Sequence, residues 1–294
     1  MMRRARQIPL VAAVAVALMA AGCAAAGGGP TPAPTTAENT APTSEGPTSP
    51  TATASASGSQ SASAHLPVGD EPVQLDPADF TADITHPLWP MKPRTRWIYR
   101  EIDVDGSVVA GVVVATTKTQ KVANGITARV VRDTAREDGT IVEDTIDWYA
   151  QDSAGNLWYL GEQTAEFEDG KIVSRSGSFE AGTNAAQPGI ILPAHPAVGQ
   201  RYRQEYLKGE AEDNGEVLAT DELIQVPAGR YRHALLTKDT SGIEPNVVEY
   251  KLYGPGVGPA LTLTASGGSS REELIKIDKA GPADGTGPLG HPNG

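Results

Sequence analysis

Three Asp-Gly dipeptides, Asp105-Gly106, Asp138-Gly139 and Asp169-Gly170, each flanked by β-prone residues, set the frame within which this chain can fold. Two-residue turns of this composition join only antiparallel neighbours. A fourth turn, Ser153-Ala154-Gly155-Asn156, separates Asp147-Trp148-Tyr149-Ala150-Gln151 from Leu157-Trp158-Tyr159-Leu160. Period-two alternation is clean in Leu261 to Ala265 and fair in Glu273 to Ile277. From Asp221 to Val226 it places Leu223 and Gln225 on one face and Ile224 and Val226 on the other. No stretch between Trp97 and Ile277 carries a convincing 3.6-residue period, and the best helix candidate is a short one near Pro77 to Phe80. The pattern predicts a mainly β fold, an antiparallel meander of about ten or eleven strands. The sheet is expected to be a curved half-barrel or sandwich-like, one face covered and the other solvated.

The first 22 residues have the three parts of an export signal: Arg3, Arg4 and Arg6, an apolar run from Ile8 to Ala20, and small residues Ala20, Ala21 and Gly22. The apolar run, about thirteen residues, is shorter than the roughly 20 needed to span a hydrocarbon core. Cys23 follows directly. The ending Ala20-Ala21-Gly22-Cys23 resembles the bacterial lipobox, with Ala20 in place of the commoner Leu. That resemblance implies a diacylglyceryl thioether on Cys23, and possible N-acylation such as palmitate, anchoring the chain to the extracytoplasmic side of a bacterial membrane. Two acyl chains at about 0.8 kcal/mol per buried methylene make a durable anchor without a basic patch. Residues 23–65 are otherwise almost wholly Ala, Gly, Pro, Ser and Thr, a composition expected to remain a disordered stalk. A flexible chain of that length has a mean reach of about 35 Å. Residues 66–279 are expected to form the β-domain, and 280–294, rich in Gly and Pro, a disordered tail.

The formal charge of −12 excludes the basic footprint of nucleic-acid binding. With its single cysteine lipidated, the chain has no thiol left for a disulfide, a redox centre or a nucleophile. The five histidines are too scattered for metal-ligand spacing, and no serine elbow, Walker motif or dinucleotide fingerprint is present. No cofactor, metal site or catalytic set is expected.

The segments Asp83-Ile84-Thr85-His86-Pro87, Trp97-Ile98-Tyr99, Asp147 to Asp152, Gly155 to Tyr159, Pro188 to Ala194, Val226-Pro227-Ala228-Gly229 and Tyr253 to Gly258 together resemble a family of uncharacterised bacterial secreted and lipoprotein β-domains. The plan is loosely similar to the half-barrel lipoprotein carriers of the LolA type. The resemblance implies a fold and an envelope location, and brings no activity with it.

Three stretches are candidates for function. Glu137, Asp138, Glu143, Asp144, Asp147 and Asp152 form an acidic run, readable as a calcium site or a carboxylate pair, but expected to be a solvated strand face because Glu143, Thr145, Asp147 and Tyr149 share one side. Trp148, Tyr149, Trp158 and Tyr159 lie on two strands joined by a short turn. They are either packed core or a platform for a sugar ring or lipid tail, with Asp147 and Glu162 supplying hydrogen bonds. Ile190, Ile191, Leu192 and His195 lie between prolines in a segment expected to be an apolar edge strand or a loop over the sheet mouth. The leading expectation is a membrane-anchored lipoprotein that binds a lipid, glycan or envelope component through these surfaces. A structural or interaction module without a pocket is the alternative, and an envelope-polymer hydrolase the third.

Overall fold

The computed structural model describes residues 65–291. The expected signal segment, Cys23 and the expected stalk as far as residue 64 lie outside the described residues. Sixteen strands are present within them: Phe80–Thr81 (β1), Thr95–Asp103 (β2), Val108–Val122 (β3), Ile126–Glu137 (β4), Thr140–Asp152 (β5), Leu157–Glu168 (β6), Lys171–Ser174 (β7), Phe179–Glu180 (β8), Gln187–Leu192 (β9), Arg201–Arg203 (β10), Glu205–Tyr206 (β11), Asp213–Val226 (β12), Gly229–Ser241 (β13), Val248–Gly254 (β14), Gly258–Ser266 (β15) and Ser270–Lys279 (β16). Eleven of these have six or more residues, in keeping with the ten or eleven strands expected. The other five are two to four residues long, too short for a period to be read.

Two of the three Asp-Gly turns form as their composition requires, while Asp105-Gly106 lies in a four-residue connection between β2 and β3 with positive φ at Gly106 alone. Asp138 and Gly139 adopt φ of 49° and 81° between β4 and β5, and Asp169 and Gly170 adopt 50° and 72° between β6 and β7. Positive φ at both central residues matches the right-handed twist of the flanking strands. The predicted helical stretch near Pro77 is a single 3-10 turn, Pro77–Asp79, capped by Asp76 Oδ1, which accepts from the Ala78 N–H at 2.9 Å.

Neighbours follow the order β10-β12-β13-β14-β15-β16-β2-β3-β4-β5-β6-β9-β11, antiparallel throughout. The two ends of this order, β10 and β11, are separated in the chain by Gln204 alone. One short segment therefore pairs with β12 on one side and with β9 on the other. The sheet curls into a nearly closed barrel and not a sandwich. β9 is consequently not an edge strand or a lid: it lies between β6 and β11, and Pro188 stands opposite Glu205. At Gly189 the seam is so tight that a Cβ would lie 2.2 Å from the Gln204 carbonyl carbon.

One end of the barrel is filled by aromatics. Trp89, from the segment ahead of β2, meets Trp97, Tyr149 and Tyr253 with ring centroids 6.2, 5.8 and 6.5 Å away. Such tilted and edge-on contacts add to the area these rings bury. Gly258, at φ 82°, is needed beneath Trp89, because a Cβ there would come within 2.3 Å of the indole. His86 ties this segment down: its Nδ1 accepts from the Leu88 N–H, leaving Nε2–H to donate to the Pro193 carbonyl at 3.1 Å. Burial lowers its pKa, which favours the neutral ring this arrangement uses.

The tail differs from its expected disorder. As far as Gly290 it lies on the outer face of β4 and β5. Ala280 N–H donates to the Arg94 carbonyl, Arg132 donates to the carbonyls of Gly287 and Pro288 at 3.0 Å each, and Gly290 N–H donates to Asp144 at 2.6 Å. Backbone groups make most of these contacts, so side-chain composition gives no sign of them.

Candidate functional site

The alternation along β5 does place Glu143, Thr145, Asp147 and Tyr149 on one side, but that side faces the barrel interior. The solvated face expected here is corrected: Glu143 is 7 %, Thr145 1 % and Asp147 0 % exposed. Period two separates the faces of a strand without saying which one meets water, and barrel closure decides it. Cross-strand pairing extends the wall. Asp133 of β4 and Thr164 of β6 stand opposite Thr145, and Glu162 of β6 stands opposite Asp147. From the other half of the barrel come buried Glu101, Glu205, Asp213, Asp239, Glu249 and Glu272. The interior thus runs from an aromatic end around Trp89 to a wall of carboxyl groups.

Its centre is Tyr159. The phenol Oη lies 2.8 Å from Asp147 Oδ1 and 2.7 Å from Glu162 Oε2. A phenol has one proton, so it donates to one of these oxygens only. The second contact is a hydrogen bond when the other carboxyl is protonated and donates to Oη, so the trio holds an extra proton. Burial pushes Asp147 above the usual carboxylate range, against the opposing pull of the Tyr159 hydrogen bond and the Arg132 charge. Burial, and then the negative charge of Asp147, push Glu162 well above that range. Glu205 is raised by burial and by Asp213, Glu162 and Asp147. Asp213 is raised chiefly by burial. Burial, with repulsion from Glu166, takes Glu143 to about 8 against the partial relief of two threonine hydroxyls.

Satisfaction of these groups is incomplete. Asp147 Oδ2, Glu162 Oε1, Asp213 Oδ2 and both oxygens of Glu205 are buried without a hydrogen-bond donor. Leaving such an oxygen unpaired costs about 1–3 kcal/mol, and more for a charged one. The wall has one ammonium of its own, Lys251, whose Nζ lies 3.1 Å from Asp239 and 3.5 Å from Glu249. Burial works against its charge, but the two carboxylates outweigh that and hold it protonated. Arg132, by contrast, points outward. It forms a bidentate pair with Asp144 beneath the C-terminal segment, and Thr134 Oγ1 donates to the same carboxylate at 2.9 Å.

The other candidates disperse. Tyr149 and Tyr159 meet inside with tilted rings 5.0 Å apart, while Trp158 packs edge-on against Phe80 at 6.0 Å and donates to Asp152. Trp148, Tyr149, Trp158, Tyr159, Ile190, Ile191 and Leu192 are all buried, so the platform they offered is core and not surface; His195 alone of that set is exposed. Asp152 is taken up by its own turn, accepting from Asn156 N–H and Nδ2 at 2.8 Å each. Among the described residues no three His, Cys, Asp or Glu side chains stand in metal-binding geometry, and no helix is long and apolar enough to cross a membrane. A surface cleft of about 370 Å³ beside β10 and β12 is lined by Arg201, Glu216, Lys238 and other mostly polar groups, and so is no lipid pocket.

Glu205, Asp213, Glu249 and Lys251 do not stand out in the sequence. A signal is nonetheless present in β14: in Glu249-Tyr250-Lys251-Leu252-Tyr253 the charged residues alternate with Tyr and Leu, and it is the charged positions that are buried.

Fold and interior define an antiparallel, nearly closed β-barrel with a carboxyl-lined lumen. No family model and no curated protein matches the chain. Among solved structures it is similar to a candidate lipoprotein from Parabacteroides distasonis, at 12 % identity and a TM-score of 0.36, covering 65 % of this chain and 98 % of that one. It is also similar to a β-barrel-like protein of domain of unknown function DUF1849 from Brucella abortus, at 14 % identity and a TM-score of 0.33, covering 64 % and 98 %. Likeness at this level assigns nothing to this chain.

Proposed function

We propose that the chain is a membrane-tethered, extracytoplasmic binding module that holds a positively charged envelope component inside its barrel. The observation that carries this is the surplus of buried carboxyl groups, five of whose oxygens around Tyr159 lack donors while a single lysine serves the wall. A buried negative surplus is stable only with protons or with a cation. The tether rests on Arg3 to Gly22 and Cys23. The choice among lipid, glycan and envelope protein narrows accordingly: an acyl chain gains nothing from a wall of carboxyls, whereas a cationic group does.

Native mass spectrometry of the protein purified from its own cells tests the binding. The expected spectrum carries a mass beyond that of the lipidated chain, and the apo mass alone would sink the reading. Cys23→Ala tests the tether. The variant is expected to leave the membrane fraction with the domain's circular dichroism unchanged, and retention in the membrane would refute lipidation.

The alternative, an interaction module without a pocket, is favoured by the burial of the interior carboxyls, whose undonated oxygens are closed off from solvent.

A further inference from the structure

We propose that Asp147, Glu162, Glu205 and Asp213 form a site for the ammonium group of a primary-amine ligand, reached through the seam that β11 closes. This rests on the binding reading above and names its chemistry. The four residues come from β5, β6, β11 and β12: β11 closes the barrel in contact with β6 and β12, and β5 pairs with β6. Acidity alone would not make a site. The second observation is Glu205, 1 % exposed, with neither carboxylate oxygen partnered and with Asp213, Glu162 and Asp147 as its electrostatic neighbours.

The same interior shows which cation such groups accept. Lys251 is a buried ammonium held by two carboxylates, Asp239 and Glu249. An alkylammonium has three donors, and Asp147 Oδ2, Glu162 Oε1 and Glu205 offer undonated oxygens to receive them. A divalent metal is the weaker reading, since it takes about six to eight oxygens, more than the five undonated ones that these four residues offer. Access follows from the closure. β11 pairs with β9 through two residues only, Glu205 with Pro188 and Tyr206 with Gln187, the shortest pairing along the barrel order, and Glu205 lies directly behind it.

The test is isothermal titration of the full-length unlipidated chain with cadaverine and, separately, with calcium chloride at matched ionic strength. Saturable cadaverine binding is expected, weakened at least tenfold by Glu205→Gln and by Asp213→Asn, and unchanged by Glu210→Gln on the exposed turn beyond β11. Circular dichroism checks that each variant is folded. If both site variants fail to fold, a nuclear Overhauser contact between cadaverine methylenes and the Tyr159 ring in the unaltered protein decides the matter, and its absence overturns the site. Saturation by calcium and not cadaverine, binding indifferent to both variants, or no binding also overturns it. A ligand mass in the native spectrum without cadaverine binding would sink this site alone and leave the broader binding reading standing.

Discussion

Tyr159 shares hydrogen bonds with two carboxyl groups and so concentrates in one side chain the problem of the whole interior. Tyr159→Phe keeps the ring packed against Tyr149 and Phe179 and deletes only the hydroxyl. Asp147 Oδ1 and Glu162 Oε2 then lose their common partner, with their remaining oxygens already undonated. The expected loss is about 1–3 kcal/mol, read as a lower urea midpoint at unchanged slope. An unchanged midpoint would show that the two carboxyls settle the proton between themselves.

At the scale of elements, the barrel depends on how closely β9 and the segment after β10 approach. Gly189→Ala would drive a methyl group into the Gln204 backbone. Backbone has less room to give than a side-chain tip, so a loss of about 2–3 kcal/mol is expected, with limited proteolysis opening first near residues 201–206. Equal proteolysis of variant and parent would show that the seam yields without cost. The same seam marks where the sequence stops being informative. The long strands and their turns are legible because Asp138-Gly139 and Asp169-Gly170 carry local φ requirements and because alternation needs only a few residues to register. β10 and β11, at three and two residues, fall below that length. The run Gly287 to Gly290 acts through carbonyls and an amide, which any composition supplies. The candidate site is half legible. Glu143, Asp147 and Glu162 stand out in the sequence, but their side of the sheet depends on closure by distant residues, and Glu205 and Asp213 become neighbours of theirs only in the finished barrel.

For the molecule as a whole, the interior carboxyls make stability a function of pH. Burial raises Glu101 to about 7 and Glu143 to about 8, above the ordinary 4.5 of an unfolded glutamate. Between those limits the folded state holds protons that the unfolded chain has released, so stability is full below about pH 4.5 and declines as pH rises through the folded values. Asp278, held down to about 2 by Arg96 and Lys276, acts in the opposite sense: its stabilising contribution is present above its ordinary 3.8 and lost as pH falls toward 2. Maximum stability is therefore expected at about pH 4–5. Each tenfold difference in proton affinity between the folded and unfolded chain is worth roughly 1.4 kcal/mol, and each kcal/mol about 2–4 °C. The melting temperature should accordingly fall by about 10 °C or more by pH 8.5. A flat or rising profile would mean that the lumen is already neutralised by a bound cation.

The pairing of β16 with β2 joins the last long strand to the first. A chain threaded through a membrane N-terminus first must wait for Ser270–Lys279 to emerge before the ring can shut. Until then the concave faces of β4, β5 and β6 stand in water, and there their carboxyls ionise freely and repel one another. The groups that strain the finished barrel would keep its unfinished half soluble, which suits the export proposed above.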